Sequence, residues 1–186
     1  MRLRALAVGV ALLIFVSCTD EAPNVSQPTT TTSAGADTEA TGADRRTAEI
    51  YAAIIMTLRR EANPSPIVYV LDRADPGAAR PTRRKPTHKS PISEAVQEAA
   101  VEELPRLELT FVRHGDDVLV EKRRCTQVKK GGSLVTLGLI PHGGETVEVA
   151  ASSFTACLSA LWVTYVVKHR DGGWEVTGTT GPVAIS

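Results

Sequence analysis

Aromatic side chains are scarce in this sequence. They make up 4% of its 186 residues, and methionine occurs only twice. The hydrophobic content of 42% must therefore build its core from Val, Leu, Ile and Ala. Net charge is also lacking, because 21 basic side chains balance 21 acidic ones. With no basic field over the whole protein, the composition argues against a nucleic acid as partner.

A long apolar run is missing as well. The run Ala5–Val16 is too short to cross roughly 30 Å of hydrocarbon, which takes about 20 helical residues. Arg2 and Arg4 precede it, as in the basic start of a secretory signal peptide. Its end, Phe15-Val16-Ser17-Cys18, resembles the lipobox of bacterial lipoproteins. In that family the cysteine sulfur receives a diacylglyceryl group and becomes the mature N-terminus.

The resemblance implies that residues 1–17 are a signal peptide and that Cys18 is the lipidation site. The protein would then be attached to the cell membrane on its extracytoplasmic side, since two acyl chains anchor stably where one anchors marginally. The alternative is that Cys18 is simply a small residue at the end of an uncleaved or conventionally cleaved signal. The Arg-over-Lys bias and the Ala- and Gly-rich usage make the chain similar to lipoproteins of actinobacteria, which implies no activity.

Residues 18–43 are predicted to be a disordered tether. The segment is rich in Thr, Ser, Ala and Gly, and it contains the low-complexity run Thr29–Ser33. With no apolar face to bury, such a segment does not offset its ordering entropy. As a flexible coil it reaches about 25–30 Å, which is enough to hold a domain clear of lipid head groups.

Residues 44–186 are predicted to form one globular domain. Two helices are expected, one from an N-cap at Asp44 to about Glu61 and one opened by Ser93 and ended by Pro105. Between them, Ile67–Leu71 is a continuous apolar run that indicates a buried strand, followed by a long polar loop. The remaining strands follow from period-two alternation and form three predicted hairpins: 107–111 with 118–123, 133–140 with 145–153, and 161–167 with 174–177. The long strand over 161–167 is expected to be buried on both faces for much of its length.

These elements predict an α+β fold. Tight hairpins pair strands antiparallel, so two helices would pack on one face of a curved, mostly antiparallel sheet of five to seven strands. The last hairpin, a long strand followed by Asp171-Gly172-Gly173-Trp174, is similar to the end of cystatin-like and NTF2-like domains. That resemblance implies a cone-shaped pocket between sheet and helices.

The three cysteines have an odd count, which assigning Cys18 to lipid would resolve. Cys125 and Cys157 would remain as an even pair in an oxidising compartment, and both lie in the predicted sheet. We therefore expect a disulfide between them. Two buried free thiols or a reactive cysteine are the alternatives, although the apolar surroundings of Cys157 argue against thiolate chemistry.

Charge is arranged in blocks despite the zero total. Basic residues crowd the polar loop (Arg80, Arg83, Arg84, Lys85 and Lys89) and surround Cys125 (Lys122, Arg123, Arg124, Lys129 and Lys130). On a tethered domain such residues could bind anionic lipid or a cell-wall polymer. The alternative is that they are solvated loop residues, neutralised by acidic residues of the second predicted helix.

No motif identifies a catalytic residue, a cofactor or a metal ligand. The histidines lack the close spacing of a zinc site, and they are His88, His114, His142 and His169. His142-Gly143-Gly144 is similar to an esterase oxyanion loop, but the sequence has no Gly-x-Ser-x-Gly elbow to accompany it.

The sequence therefore predicts a lipid-anchored, non-enzymatic binding or accessory module of the bacterial envelope. One alternative is an NTF2-like pocket that binds or transforms a small apolar molecule, with His114 or Asp117 at its closed end. Another is a scaffold that pairs with an envelope protein through an exposed strand edge. The oligomeric state is left open.

Overall fold

The polypeptide forms two helices and ten strands over the residues that the computed structural model describes, which are 40–81 and 88–186. The helices are α1 (Gly42–Glu61) and α2 (Glu94–Glu103). The strands are β1 (Ile67–Leu71), β2 (Arg73–Ala74), β3 (Ser90–Pro91), β4 (Glu108–Val112), β5 (Leu119–Lys122), β6 (Cys125–Val128), β7 (Ser133–Leu137), β8 (Thr146–Ala156), β9 (Ser159–Arg170) and β10 (Gly173–Ile185). Two 3₁₀ turns, Gly115–Val118 and Lys129–Gly131, flank the β5–β6 hairpin.

Helix α1 begins at a capping box. The Thr41 hydroxyl accepts a hydrogen bond from the Asp44 amide at 3.2 Å, and the Asp44 carboxylate accepts one from the Thr41 amide at 3.1 Å. Both bonds satisfy amides that the first helical turn leaves without partners. The prediction of Asp44 as N-cap is corrected: Thr41 is the cap and Asp44 lies inside the first turn. Helix α2 is capped by Ser93, as predicted.

Eight strands form the main sheet, in the order β10-β9-β8-β7-β1-β4, with the β5–β6 hairpin attached to β8. Strand β1 lies between β4 and β7 and runs parallel to both, while the other pairings are antiparallel. The sheet is curled into a half-barrel, and the helices cover one of its faces. The predicted α+β class is confirmed, with eight strands in place of five to seven.

The predicted hairpin of 107–111 with 118–123 is wrong. Strand β4 pairs in parallel with β1, and β5 pairs with β6 across a two-residue turn. The physical reason is a second small core on the face of the sheet opposite the main core, where Val118 and Val128 are buried with Tyr69. Alternating apolar residues indicate a strand but do not identify its partner.

The main core lies between α1 and the face of the sheet that the helices cover. The α1 residues Ile50, Ile54 and Leu58 are at most 1% exposed. Strand β9 buries alternate side chains, from Leu161 to Val167, against them, while the intervening side chains remain half-buried. The expectation that this strand is buried on both faces is therefore corrected to one buried face.

Two tyrosine hydroxyls are held inside this core. Tyr51 donates a hydrogen bond to the Gly138 carbonyl at 3.0 Å, and burial raises the pKa of Tyr51 to about 12. Tyr165 donates to the Glu61 carboxylate at 2.5 Å. Burial, and then this bond, raise the pKa of Tyr165 far above its ordinary value. Both side chains stay protonated at neutral pH and act as hydrogen-bond donors that fix α1 to the sheet.

Candidate binding surfaces

A disulfide joins Cys125, at the start of β6, to Cys157, in the turn between β8 and β9. Their Cα atoms are 5.5 Å apart, which is within the usual bridging range. The Cys157 amide also donates a hydrogen bond to the Thr126 carbonyl at 3.0 Å. The predicted pairing is confirmed, and the β5–β6 hairpin is thereby attached to the β8–β9 hairpin.

Three side chains beside this disulfide occupy backbone conformations that usually take glycine or asparagine. Arg123 and Arg124 form the β5–β6 turn with φ angles of 54° and 65°, and Leu158 has a φ of 59°. Two-residue hairpin turns with two positive φ angles strongly prefer Asn-Gly. Each non-glycine residue held in this region costs about 1–3 kcal/mol, and such strain commonly marks a functional site.

Exposed apolar side chains collect at the same end of the sheet. Leu158 is 87% exposed and Ile185 is 80% exposed. Both lie toward the β8–β9 turn, because Ile185 pairs with Leu161, three residues after Leu158, and the next residue exchanges both backbone hydrogen bonds with Ala160. We call this region the stapled tip, defined by Lys122, Arg123, Arg124, Cys125, Cys157, Leu158 and Ile185.

A cavity of about 480 Å³ lies where α1 and the chain after α2 meet. Met56, Leu104 and Leu107 supply apolar walls, and two arginines stand beside them. One of these, Arg59, is held by a 2.9 Å hydrogen bond from its Nε to the Ser65 carbonyl. The carboxylate of Glu103 also lines the cavity, so the site combines an apolar surface with two positive charges and one negative charge.

A second cavity, of about 320 Å³, lies at the start of α1. The Arg46 guanidinium lies 4.8 Å from the centre of the Trp174 ring. The centre of the His169 ring lies 5.3 Å from the centre of the Trp174 ring, and the two ring planes make an angle of 58°. Arg46 also donates hydrogen bonds to the carbonyls of Gly143 and Gly144 at 3.0 and 3.3 Å. These carbonyls accept hydrogen bonds as part of a glycine turn, so the His142-Gly143-Gly144 sequence serves chain reversal at this site.

Asp75 is the one fully buried carboxylate that sequence reasoning missed among the described residues. It comes directly after β2, near the end where the parallel strands β1, β4 and β7 terminate, and its carboxylate accepts a hydrogen bond from the Gly77 amide at 2.8 Å. Lys89 lies 3.8 Å from the other carboxylate oxygen. The signal that could have found it is Asp75-Pro76-Gly77, which is a turn sequence whose Asp side chain bonds the backbone two residues on.

The histidines and Asp117 that the sequence analysis considered do not form a site in the described residues. His88, His114, His142 and Asp117 are exposed, and neither His114 nor Asp117 lines either cavity. Within residues 40–81 and 88–186, no group of three or more His, Cys, Asp or Glu side chains could hold a metal ion.

Other predictions fall outside the described residues. These are the signal peptide, the lipidation site Cys18, the tether up to residue 39, and the basic residues Arg83, Arg84 and Lys85. None of the helices in the described part of the chain is both long and apolar enough to cross a membrane.

The free edges of the main sheet are β4, β10 and, on the attached hairpin, β5. Strand β10 is interrupted by register irregularities between Val176 and Gly178 and between Thr180 and Ala184. Strand β4 has only five residues, and β5 has four. Irregular and short edges disfavour pairing with another strand, so the edges lend no support to a scaffold that binds by strand addition.

A scan against family models and searches of curated proteins and of solved structures find no match to this chain. The disulfide, the stapled tip and the two cavities therefore carry the functional inference.

Proposed function

We propose that this chain is a lipid-anchored, non-enzymatic binding module on the extracytoplasmic face of a bacterial cell membrane. The observation that carries this proposal is the disulfide between Cys125 and Cys157. Structural disulfides persist in oxidising compartments outside the cytosol. The bridge also leaves Cys18 as the remaining cysteine of the three, directly after the apolar run Ala5–Val16.

The anchor would work through two acyl chains on the Cys18 sulfur. Each buried CH₂ contributes about 0.8 kcal/mol, so a diacylglyceryl group anchors stably by itself. The segment between Cys18 and α1, which begins at Gly42, would connect the folded domain to the bilayer. The cavities and the stapled tip are then presented to molecules at the envelope surface, which is the arrangement that a binding or accessory module needs.

Substitution of Cys18 tests the anchor. In bacteria that express the chain, Cys18→Ala is expected to abolish incorporation of a radiolabelled or alkyne-tagged lipid precursor, because the acyl acceptor is removed. The measurement is the label on the purified protein after gel electrophoresis. As the control, the Cys125→Ala/Cys157→Ala variant should label like wild type. Equal labelling of wild type and Cys18→Ala would refute the proposal.

A second candidate function is favoured by the cavity of about 480 Å³. Its volume lies within the range of small-molecule sites, which begins at about 300 Å³. Met56, Leu104 and Leu107 would contact the apolar body of a ligand, while Arg59 and Arg106 would bind an anionic group. Glu103 also lines the cavity, but the two arginines outnumber it, so the ligand class proposed is an amphiphile with an acidic head and an apolar tail.

Filling this cavity tests the second candidate. Wild-type protein is expected to raise the fluorescence of anilinonaphthalene sulfonate, an anionic amphiphile, and Leu107→Trp should weaken that binding at least about tenfold by occupying the apolar space. Val101→Trp is the matched control, because Val101 is exposed on α2 and outside the cavity. Absence of probe binding to wild type, or equal binding by the two Trp variants, would exclude the candidate.

A further inference from the structure

We propose that the stapled tip is a membrane-contact site, which inserts Leu158 and Ile185 among the head groups of an anionic bilayer while its basic side chains bind lipid phosphates. This inference goes beyond the proposed anchor, because it needs no acyl group on Cys18. It assigns the folded domain its own affinity for the membrane surface.

The apolar part of the tip has the form of an insertion site. Six large apolar side chains are exposed among the described residues: Val101, Val120, Leu139, Leu158, Val183 and Ile185. The two most exposed, Leu158 and Ile185, both lie at this end of the sheet, with Val183 two residues from one of them. Leu158 occupies a hairpin turn and thus projects from the end of the sheet, where a flat bilayer can reach it.

The charge at the tip complements an anionic surface. Lys122, Arg123 and Arg124 are consecutive and exposed, and Glu121 is the acidic side chain next to them. In the described part of the chain none of the three basic residues forms an ion pair, whereas Lys130 is paired with Glu108 at 3.2 Å. Each basic residue near an anionic leaflet strengthens binding about fivefold. The tip thus offers free positive charge beside exposed apolar groups.

The backbone of the tip is fixed before any contact is made. The disulfide joins the two turns, and the hydrogen bond from the Cys157 amide to the Thr126 carbonyl holds them together. A preorganised site loses little conformational entropy on binding. Arg123, Arg124 and Leu158 keep positive φ angles at a cost in conformational energy. This strained backbone lies at the residues that would contact the membrane.

A lipid surface fits these features better than an anionic wall polymer. A polymer could bind the arginines, but it has no apolar interior to receive Leu158 and Ile185. Interfacial anchors combine apolar side chains with a basic face, because the free energy of burying the apolar groups adds to the attraction between basic side chains and anionic lipids. Binding to a lipid bilayer should depend on Leu158, whereas binding to a wall polymer should not.

The test uses residues 18–186 with Cys18→Ser, which removes the acyl acceptor. Residues 37–186 make one compact unit that contains the whole described core, so this chain retains every element of the fold. Binding is measured by co-sedimentation with vesicles of phosphatidylcholine alone and of equal parts phosphatidylcholine and phosphatidylglycerol. We expect binding to the anionic vesicles only.

Two variants separate the apolar and the charged contributions. Leu158→Asn removes the apolar side chain but keeps a residue that tolerates positive φ, and it should weaken binding about tenfold. Arg123→Asn/Arg124→Gly installs the preferred turn sequence and should weaken binding about thirtyfold while raising the melting temperature. Controls are Leu139→Asn and Arg73→Ser/Arg80→Ser, which change exposed residues outside the tip.

Weakened binding by both tip variants, with controls like wild type, supports the proposal. No binding of the unmodified tip to anionic vesicles overturns it. Binding that Leu158→Asn leaves unchanged also overturns it, and points to a purely ionic partner such as a wall polymer. Because these measurements contain no acylated protein, their outcome is independent of lipid labelling at Cys18, and either proposal can fail alone.

Discussion

Replacing Cys125 and Cys157 together with serine is expected to lower the free energy of unfolding by about 3–4 kcal/mol. The bridge closes a loop of 32 residues in sequence separation, and in the chain-entropy model that constraint removes about this much freedom from the unfolded chain. The loss is a large part of the 5–15 kcal/mol that typically stabilises a domain. Urea unfolding of oxidised wild type and of the double variant measures the difference.

The loss should be concentrated in the β5–β6 hairpin. That hairpin meets the main sheet at one register pair, Gln127 with Ala156, and through the small core around Val118 and Val128. Without the bridge it can open separately from β8 and β9, which pair along most of their length. Hydrogen exchange should therefore show faster exchange in residues 119–128 than in residues 146–156.

Reduction of the wild-type protein provides the matched control. It should reproduce the stability of the double variant and leave the variant itself unchanged, because no bridge remains to be reduced. Alkylation without reductant should modify neither Cys125 nor Cys157. A double variant within about 1 kcal/mol of wild type would show that the bridge contributes no loop constraint.

Gly138→Ala is expected to destabilise the fold by about 2–3 kcal/mol, in the range of other substitutions that overpack a core. A Cβ at this position would lie 2.7 Å from the Ala150 carbonyl oxygen and 3.0 Å from the Ala150 nitrogen. Those atoms belong to the backbone of β8, so they cannot move aside as a flexible side chain can. Any shift would also disturb the bond from the Tyr51 hydroxyl to the Gly138 carbonyl.

Thermal and urea unfolding of Gly138→Ala are compared with those of Gly178→Ala. Gly178 lies in a strand and has no atom within 4 Å of its Cβ position, so the second substitution should be neutral or slightly stabilising. The pair isolates steric contact from the general effect of replacing glycine. Equal stability of the two variants would contradict the close approach of β7 and β8 at this point.

Local sequence patterns predicted helices and strands well where a segment has one apolar face or a continuous apolar run. The run Ile67–Leu71 forms β1, and Ser93 caps α2, since each depends on neighbouring residues alone. Pairing was predicted less well. The β4 strand joins β1 in parallel, and β5 joins β6, because long-range contacts in the small core around Tyr69 outweigh the nearest-neighbour hairpin.

The same division applies to the candidate sites. The bridge could be predicted from the cysteine count together with the expected assignment of Cys18 to lipid, which leaves an even pair. The stapled tip could not be predicted in this way. Arg123, Leu158 and Ile185 are far apart in the sequence, and only the order of β6, β8, β9 and β10 brings them to one end of the sheet.

The sequence by itself determined the helices, most strands and the cysteine pairing of this protein, because these follow from periodicity, capping residues and the count of thiols. The tertiary structure alone decided that β1 lies between two parallel neighbours, that Gly138 must lack a side chain, and that basic and apolar residues lie at the same end of the sheet as the bridge. Sheet order is a property of the whole core, and no local stretch of sequence contains it.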